Sequence, residues 1–432
     1  MLFNILFIFE NQMASFLSVV CQHGHLYMHQ DIHLTSSMRY IGMDIETFKL
    51  EEWLKKRESK TRFNLAENCV YAVTLDDFFH IARIDKKSFL NDLCSIKMDY
   101  GNIDGGTPEL KSAIAEQYKN VKPEDILAVH GATFANTHLV WSLVKPQDNI
   151  IAIYPDYQQF ISIPKSFGAE VRMLHRSPED GYAIHKDELD RICDENTKLI
   201  TLSNPNNPTG ALLSMDELNE LISIARKYNA YIICDEVYSH ILQDDQVCPS
   251  IADLYEKGIS VGSLSKTCSM AGLRLGWIAT RDKEALHILK QHSAYNMSSI
   301  GGLKEYIAIS ALKHQKALID RNMSLLRVNL ITLDGWLRQN KEHLSYVYPK
   351  AGSTVLVFYH QKNVSSIKFC NYLFDTTGTL ITPGDVFSVP NSFRISYACD
   401  HRQLVAGLMC LSEACKKLNE NPHFLDDESA EA

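Results

Sequence analysis

The chain has 432 residues, of which 45% are hydrophobic and 22% are charged, and its formal net charge is -9 at pH 7. A chain of this length can form two or three domains around a large buried core. Its basic residues form no stripe, so we exclude nucleic acid as an expected partner. The 11 cysteines include no CxxC pair. This usage is typical of free thiols in a reducing compartment, and we therefore expect a cytoplasmic protein.

The first 37 residues contain two short apolar runs that could be mistaken for a signal or an anchor. No lysine or arginine precedes Arg39, and neither run reaches the ~20 residues that a membrane span needs. We therefore expect no membrane association. These runs are followed by a group of closely spaced thiol and imidazole side chains that could bind a metal ion: Cys21, His23, His25, His29 and His33. We nevertheless predict a poorly ordered extension over residues 1–37, and no metal.

A mostly parallel sheet is predicted from the middle of the chain. Residues 38–75 include the amphipathic stretch DIETFKLEEWLKKRE, which we expect to pack with a small C-terminal domain. From about residue 107, helix-like segments alternate with short runs that are apolar on both faces: ILAVHG, NIIAIYP, LITLSNP, YIICDEVY, ISVGSLSK and LGWIAT. Such runs are typical of parallel strands covered by helices on both sides. We predict a large α/β domain over residues 76–300, with a seven-stranded sheet.

A second, smaller domain is predicted after the sheet. A long helical stretch runs from Leu303 to about Asn340. It is followed by the strand patterns YVYPKAGSTVLVFY and SFRISYA and by a terminal helix. These patterns predict a linker helix and a small α+β domain over residues 301–432.

Ligands of such sheets bind at the carboxyl ends of the strands, so the residues that follow the apolar runs are informative. Gly131, Ala132 and Thr133 begin the helix after ILAVHG. Open N–H groups at a helix start favour a phosphate there, although small residues in this place also serve packing. Tyr157 follows the next run, either as an aromatic face for a ligand or as a core residue.

Two further strand ends carry polar groups. Asn207 opens the turn NPTG after LITLSNP, and it either presents an amide to a ligand or belongs to a plain turn. Asp235 and Tyr238 follow the buried run YIIC. A carboxylate so close to a buried strand is costly without a cationic partner, and a protonated pyridine nitrogen would be such a partner.

Lys266 lies in the stretch SLSKTCSMAGLRLGW, among small and apolar residues. It either extends to solvent from a strand end or is buried, and a buried lysine must be paired or lose its proton. An amine that loses its proton near neutral pH is a nucleophile that can form a Schiff base with a carbonyl group.

Together these groups suit one ligand, pyridoxal 5'-phosphate. The phosphate would lie on residues 131–133 and Ser263, and the ring beside Tyr157. Asn207 and Tyr238 would contact the ring oxygen. Asp235 would contact the ring nitrogen, and Lys266 would react with the aldehyde.

The motifs SNPNNPTG, CDEVY and SLSKTCSMAGLRLGW occur in this order and resemble those of the class I/II aminotransferases. These are fold type I pyridoxal-phosphate enzymes of the aspartate aminotransferase superfamily, and the resemblance extends over residues 60–415. It implies that Lys266 forms the Schiff base and that Asp235 holds the pyridine nitrogen. It also implies that Asn207 and Tyr238 contact the ring oxygen and that Tyr157 stacks on the ring.

The same resemblance assigns the remaining cofactor contacts. Three residues around the lysine belong to the implied phosphate and cofactor site: Ser263, Ser265 and Arg274. Tyr100, in YGNIDGG, matches a tyrosine that reaches the phosphate of the neighbouring subunit. The resemblance therefore implies a homodimer with shared active sites.

The substrate site is implied in the same way. Arg394, in SFRISYA, matches the arginine that binds the substrate α-carboxylate, a task suited to the planar guanidinium fork. Asn207 and Ala66 complete the implied contacts, and Ala66 stands where relatives often have glycine. Dicarboxylate-specific members carry a second arginine where this chain reads QHSAYNMSSIGG. We therefore predict neutral amino donors and poor use of aspartate, unless the N-terminal segment supplies another cation.

The resemblance implies an aminotransferase that moves an amino group between an L-amino acid and a 2-keto acid by a ping-pong mechanism. The stretches LAENCVYAVTLDDF, YGNIDG and SYACD also resemble a subfamily that includes capreomycidine synthase. The alternative is therefore another pyridoxal-phosphate reaction, by a cyclase or a β/γ-lyase. A non-catalytic effector module of a transcription regulator would need a basic helix-turn-helix domain, and the N-terminal residues show no such pattern.

Overall fold

The computed structural model describes residues 44–244, 246–361, 364–421 and residue 425. The predicted extension over residues 1–37, with its cysteine and histidine cluster, lies outside them. The strands are β1 (Phe63–Asn64), β2 (Ile126–Val129), β3 (Asn149–Tyr154), β4 (Glu170–His175), β5 (Thr197–Ser203), β6 (Tyr231–Asp235), β7 (Gly258–Ser263), β8 (Gly276–Thr280), β9 (Leu344–Tyr346), β10 (Thr354–Tyr359), β11 (Thr379–Leu380), β12 (Thr382–Pro383) and β13 (Ser392–Ser396).

The helices that surround these strands are α1 (Lys49–Lys55), α2 (Leu75–Ala82), α3 (Lys86–Ser95), α4 (Pro108–Ala115), α5 (Ala132–Leu143), α6 (Gln159–Ser166), α7 (Lys186–Ile192), α8 (Met215–Lys227), α9 (Ile251–Leu254), α10 (Leu264–Thr267), α11 (Lys283–Asn296), α12 (Gly302–Lys313), α13 (Gln315–Gln339), α14 (Ser366–Thr377) and α15 (His401–Glu420). The predicted long helical stretch is thus two helices, α12 and α13, which meet at His314.

Seven strands form the large sheet in the order β2-β8-β7-β6-β5-β3-β4. Strand β8 is antiparallel to both of its neighbours, and the other pairs are parallel. The predicted α/β fold with a mostly parallel seven-stranded sheet is therefore confirmed. Strand β6 lies at the centre, so the carboxyl ends of β5, β6 and β7 are adjacent.

Both faces of the large sheet are apolar because its central strands are covered by helices on each side. Successive side chains of β6 point to opposite faces, and Ile232 and Ile233 belong to different core clusters. Helix α8 covers one face. Ser214 caps it, accepting a hydrogen bond from the N–H of Glu217, and the apolar stripe of α8 is buried: Leu218, Leu221 and Ile224.

A second sheet lies in the C-terminal part of the chain. Its order is β12-β13-β10-β9, and all of its pairs are antiparallel. Leu50 and Trp53 of α1 are buried in the apolar cluster that also contains Val355 of β10 and Ile395 of β13. Trp53 Nε1 donates a hydrogen bond to the carbonyl oxygen of Ile381 at 2.9 Å. Helix α1 is thereby fixed to this part of the chain.

The structure sets no domain boundary within residues 44–425, so the predicted boundaries at residues 75 and 300 stay predictions. In the part of the chain that the structure describes, we find no helix with both the length and the apolar character that crossing a bilayer requires.

Candidate active site

A cavity of about 1040 Å³ lies at the carboxyl ends of the central strands and is also lined by residues of α1. Nearly all of the predicted site residues line it: Ala66, Ala132, Thr133, Tyr157, Asn207, Asp235, Tyr238, Ser263, Ser265, Lys266, Arg274 and Arg394. Gly131 lies at the start of α5, directly beside Arg274. Tyr100 does not line the cavity and is 73% exposed. Its contact with a neighbouring subunit stays a prediction.

Lys266 reaches the cavity from α10, which begins directly after β7. Its Nζ donates hydrogen bonds to Asn68 Oδ1 at 2.6 Å and to Cys69 Sγ at 3.0 Å. Burial lowers the pKa of Lys266, but interactions with Tyr238, Cys69 and Glu67 outweigh burial and raise the pKa above its usual value. The structure therefore favours a lysine paired within the cavity over one that extends to solvent.

Asp235 ends β6 and is 8% exposed. Its Oδ2 accepts a hydrogen bond from Asn136 Nδ2 at 3.0 Å, and its Oδ1 accepts one from the N–H of Val237 at 3.2 Å. Burial raises the pKa of Asp235, because neutral partners replace water only in part. Among the ion pairs of the described residues, none includes Asp235. A buried carboxylate thus faces the cavity without an ion-pair partner, and Lys266 lowers its pKa only in part.

Arg274 places a positive charge at another end of the cavity. Its Nη1 donates to the carbonyl oxygen of Ala271 at 2.9 Å. Gly131, which precedes α5, leaves room for this guanidinium. The hydroxyls of Ser263 and Ser265 lie at the end of β7 and in α10, next to the start of α5 in the same lining. A guanidinium, two hydroxyls and a helix N-terminus together suit a phosphate group.

Arg394 is 1% exposed and lies in β13, where it pairs with Leu356 and Thr382. Its Nη1 donates to Asn207 Oδ1 at 2.9 Å, and its Nη2 donates to the carbonyl oxygen of Ala66 at 2.7 Å. Its Nε has no hydrogen-bond partner. Burial lowers the pKa of Arg394. A buried cation whose partners are neutral oxygens is suited to bind an anionic group from the cavity.

The segment around α1 covers Tyr157. The rings of Phe48 and Tyr157 meet edge to face, with 5.0 Å between their centroids. The N–H of Lys49 donates to Gln158 Oε1 at 2.9 Å, and the hydroxyl of Tyr157 donates to Glu51 Oε1 at 3.4 Å. This aromatic wall of the cavity is therefore held by residues that are about 110 positions apart in sequence.

Sequence reasoning missed Asp156, which lines the cavity and is 2% exposed. Its carboxylate accepts hydrogen bonds from the N–H of Ser203 at 2.6 Å and from Asn206 Nδ2 at 3.1 Å. Burial raises the pKa of Asp156 to about 7, against the opposing charge of Arg176. Asp156 ties the loop of Tyr157 to the end of β5. The argument applied to Asp235, a carboxylate directly after a buried strand, could have found it.

Comparison with known proteins decides the family. The profile of the family described as aminotransferase class I and II matches residues 87–408. The chain belongs to this family. The predicted family membership is thus confirmed.

Three relatives illustrate the likeness. Capreomycidine synthase of Streptomyces vinaceus is 24% identical over 365 residues, which cover 84% of this chain and 92% of that protein. An aspartate aminotransferase of Pyrococcus horikoshii is 27% identical over 327 residues, covering 72% of this chain and 81% of that protein. The crystal structure of a PLP-dependent aminotransferase from Streptococcus suis has a TM-score of 0.83 and 35% identity, and it covers 87% of this chain and 99% of that chain.

Members of the aminotransferase class I and II family use pyridoxal 5'-phosphate, and the residues of this cavity fit that cofactor. Asp235 is a buried carboxylate without an ion-pair partner among the described residues, which suits a protonated ring nitrogen. Gly131 keeps open a space beside Arg274 that a Cβ would fill, and Lys266 supplies the amine. When bound, the cofactor supplies an aldehyde that binds amines covalently and a ring that takes up electrons.

We expect Gly131→Ala to weaken cofactor binding by at least about tenfold, because several kcal/mol of strain and contact would disturb Arg274. Gly131 has a φ of +89°, and a Cβ there would lie 2.7 Å from Arg274 Nη2. The dissociation constant can be measured by titrating the apoprotein with cofactor and following fluorescence. Gly272→Ala is the matched control, because a Cβ at Gly272 meets nothing within 4 Å. Equal affinities of both variants would contradict the proposed phosphate site.

Proposed function

We propose that this chain is an aminotransferase, which moves an amino group between an L-amino acid and a 2-keto acid by a ping-pong mechanism. One observation carries this proposal. A buried arginine and a buried carboxylate, neither of which forms an ion pair with another described residue, line one cavity together with a lysine: Arg394, Asp235 and Lys266. An amino acid offers the carboxylate and the amine that such a site needs, and the family's cofactor offers the cation.

Each of these residues has a separate task in the proposed reaction. Arg394 binds the α-carboxylate of the donor and so positions its Cα. Lys266 would hold the cofactor when the donor is absent, and its Nζ would take the proton from Cα of the donor and return a proton at the other end of the transfer. Asp235 stabilises positive charge on the ring nitrogen. Tyr157 and Phe48 exclude water from the reacting atoms.

The second candidate function is another reaction on the same cofactor, by a cyclase or a β/γ-lyase. The likeness to capreomycidine synthase favours keeping it, since that relative matches 84% of this chain. The cofactor residues are common to both proposals, so the fate of the amino group must distinguish them. Transamination passes the amino nitrogen to a second molecule, elimination releases ammonia, and cyclisation retains the amino nitrogen in the product.

A labelling experiment tests this choice directly. The purified protein with its cofactor is incubated with ¹⁵N-labelled amino acids and a panel of 2-keto acids, and products are identified by mass spectrometry. We expect the label in a new amino acid derived from the keto acid. Label recovered in ammonia or in a cyclic product of the donor would overturn the transamination proposal and support the alternative.

We expect Arg394→Leu to raise KM for every amino donor by at least about 30-fold, because a bidentate hydrogen bond between charged groups contributes more than ~2 kcal/mol. The effect should be similar for all donors, since Arg394 contacts the group that they share. Steady-state kinetics with several donors measure it. Exposed Arg402 in α15 offers the control variant Arg402→Leu. A loss confined to one donor would contradict the assigned role.

We also propose a homodimer in the cytoplasm. Homodimers are typical of the family. Tyr100 is exposed in the single chain, which is expected of a residue that contacts a neighbouring subunit. Every cysteine that the structure describes is a free thiol, which suits a reducing compartment.

A further inference from the structure

Five carboxylates that the proposed reaction leaves unused line the active-site cavity: Glu51, Glu52, Glu58, Glu67 and Asp156. Two of them, Glu51 on α1 and Glu67 in the loop after β1, are close to the residues that would bind the donor. Glu51 Oε1 accepts a hydrogen bond from the hydroxyl of Tyr157 at 3.4 Å. Glu67 Oε1 accepts the N–H of Cys69 at 2.8 Å, and Cys69 Sγ lies 3.0 Å from Lys266 Nζ. Both carboxylates therefore lie close to the place where the amino donor would react.

Glu51 and Glu67 form no close ion pair with a described residue, although both interact with Arg394 over a longer distance and Glu67 also interacts with Lys266. The ion pairs among the described residues include neither Glu51 nor Glu67, whereas the neighbouring Glu52 is paired with Lys56 at 2.7 Å. Of the described lining residues without a proposed role, Lys55 is the basic one, and Lys55 and Glu51 are both exposed to solvent at the cavity mouth on α1. The two carboxylates thus lack a counter-charge within ion-pair distance.

Arg394 gives the orientation of a bound donor independently of these acids. Its Nε is buried without a hydrogen-bond partner, although the residue is 1% exposed and lines the cavity. Burial lowers the pKa of Arg394, and both Glu67 and Glu51 are close enough to counteract this effect. A donor whose α-carboxylate binds Arg394 would therefore extend its side chain within reach of Glu51 and Glu67.

We infer that this site selects an amino donor with a cationic side chain, an ammonium or a guanidinium group, which Glu51 and Glu67 bind. The inference rests on the proposed function and names its substrate class. A side-chain carboxylate, as in aspartate, is repelled by these two groups. A neutral side chain leaves both of them without a close ion-pair partner. This inference differs from the neutral donor expected from the sequence and agrees with the expected poor use of aspartate.

Pairs of donors that differ in charge but hardly in shape provide the first test. Citrulline is the neutral counterpart of arginine, and norleucine is that of lysine. With the full chain and its cofactor, we expect kcat/KM for the cationic member of at least one pair to exceed that of the neutral member by at least about tenfold, because hydrogen bonds between charged groups are stronger than neutral ones. Equal values within both pairs would overturn the inference.

Variants then assign the selectivity to the two residues. In Glu51→Gln and Glu67→Gln, the ratio of cationic to neutral donor should fall at least about fivefold, and in the double variant it should approach one. Glutamine keeps the shape and can still accept the hydrogen bonds from Tyr157 and Cys69. Glu52→Gln, on the same helix, should leave the ratio unchanged. A ratio that survives in the double variant would show that these carboxylates do not select the donor.

A binding measurement separates this inference from the proposed function. α-Methylornithine has no α-proton and cannot be transaminated, and α-methylnorvaline is its neutral counterpart. Calorimetry on the protein with its cofactor should give tighter binding of α-methylornithine, and the double variant should lose that preference. If this holds but no donor yields a keto acid, the proposed function fails and the inference about selectivity stands. If transamination occurs without any preference for a charged donor, the proposed function stands and the inference about selectivity fails.

Discussion

Replacement of Lys266 by alanine is expected to abolish covalent attachment of pyridoxal 5'-phosphate and to lower turnover by at least ~10³-fold, since general acid–base catalysis alone contributes roughly 10²- to 10⁴-fold. The Nζ of Lys266 lies in the cavity within 2.6 Å of Asn68 Oδ1, and alanine removes the amine altogether. Borohydride reduction followed by peptide mass spectrometry should find the cofactor on residue 266 of the wild-type protein and on no residue of the variant.

Two further variants make this test specific. Lys266→Arg keeps the positive charge in the cavity but has no amine that can bind the aldehyde, so it should lose the covalent attachment as well. Lys119→Ala removes an exposed lysine and should behave like the wild-type protein. A reducible bond and normal turnover in Lys266→Ala would disprove the assignment of this lysine.

The large sheet could be predicted because burial on both faces leaves a clear pattern. Strand β3 is buried at all six positions, and its sequence NIIAIY is apolar enough to be recognised. Strand β4, with the sequence EVRMLH, lies at the edge of the sheet and is buried only at Leu174. Glu170 and Arg172 form an ion pair at its exposed side. An edge strand of this kind lacks the continuous apolar pattern of a buried strand, so the apolar runs of the sequence do not include it.

The cofactor side of the cavity could be predicted for a related reason. Asn207, Asp235 and Ser263 follow or end parallel strands, and parallel strands bring their carboxyl ends to one edge. Arg394 could not be placed in this way. It reaches the cavity from the antiparallel second sheet, and only its resemblance to the family's arginine indicated a position near the substrate.

The substrate side of the cavity was missed because it depends on contacts between distant parts of the chain. Asn68 lies 198 positions from Lys266, and Glu51 lies 106 positions from Tyr157. On the sequence alone, Glu51 belongs to an amphipathic helix with many charges, where a solvent-exposed carboxylate is unremarkable. Its position in the cavity follows from the packing of α1, which the buried residue Trp53 fixes against the C-terminal part of the chain.

Asp235 should be the second most sensitive residue. In Asp235→Ala the ring nitrogen would lose its counter-charge, and breaking a buried ion pair on one side costs about 3 to 5 kcal/mol. Turnover should therefore fall by roughly 10²- to 10⁴-fold in both half-reactions. Asp235→Asn keeps the shape of the side chain and an oxygen for the hydrogen bond from Asn136, so a loss in this variant would arise from charge and not from packing.

The adjacent residue Glu236 separates this effect from the mere loss of a buried carboxylate. Glu236 accepts hydrogen bonds from the N–H of Ile251 at 2.7 Å and from Ser260 Oγ at 2.6 Å, and burial raises its pKa to about 7. It does not line the cavity of Lys266, so Glu236→Gln should keep cofactor affinity and turnover close to the wild-type values. Affinity and the pH dependence of the bound cofactor's absorbance would be measured with Asp235→Asn and Glu236→Gln in parallel. If the pyridine nitrogen needs Asp235, the cofactor absorbance of Asp235→Asn should change with pH in a range where the wild-type protein and Glu236→Gln show no change. Identical spectra and turnover in all three proteins would mean that another group holds the ring.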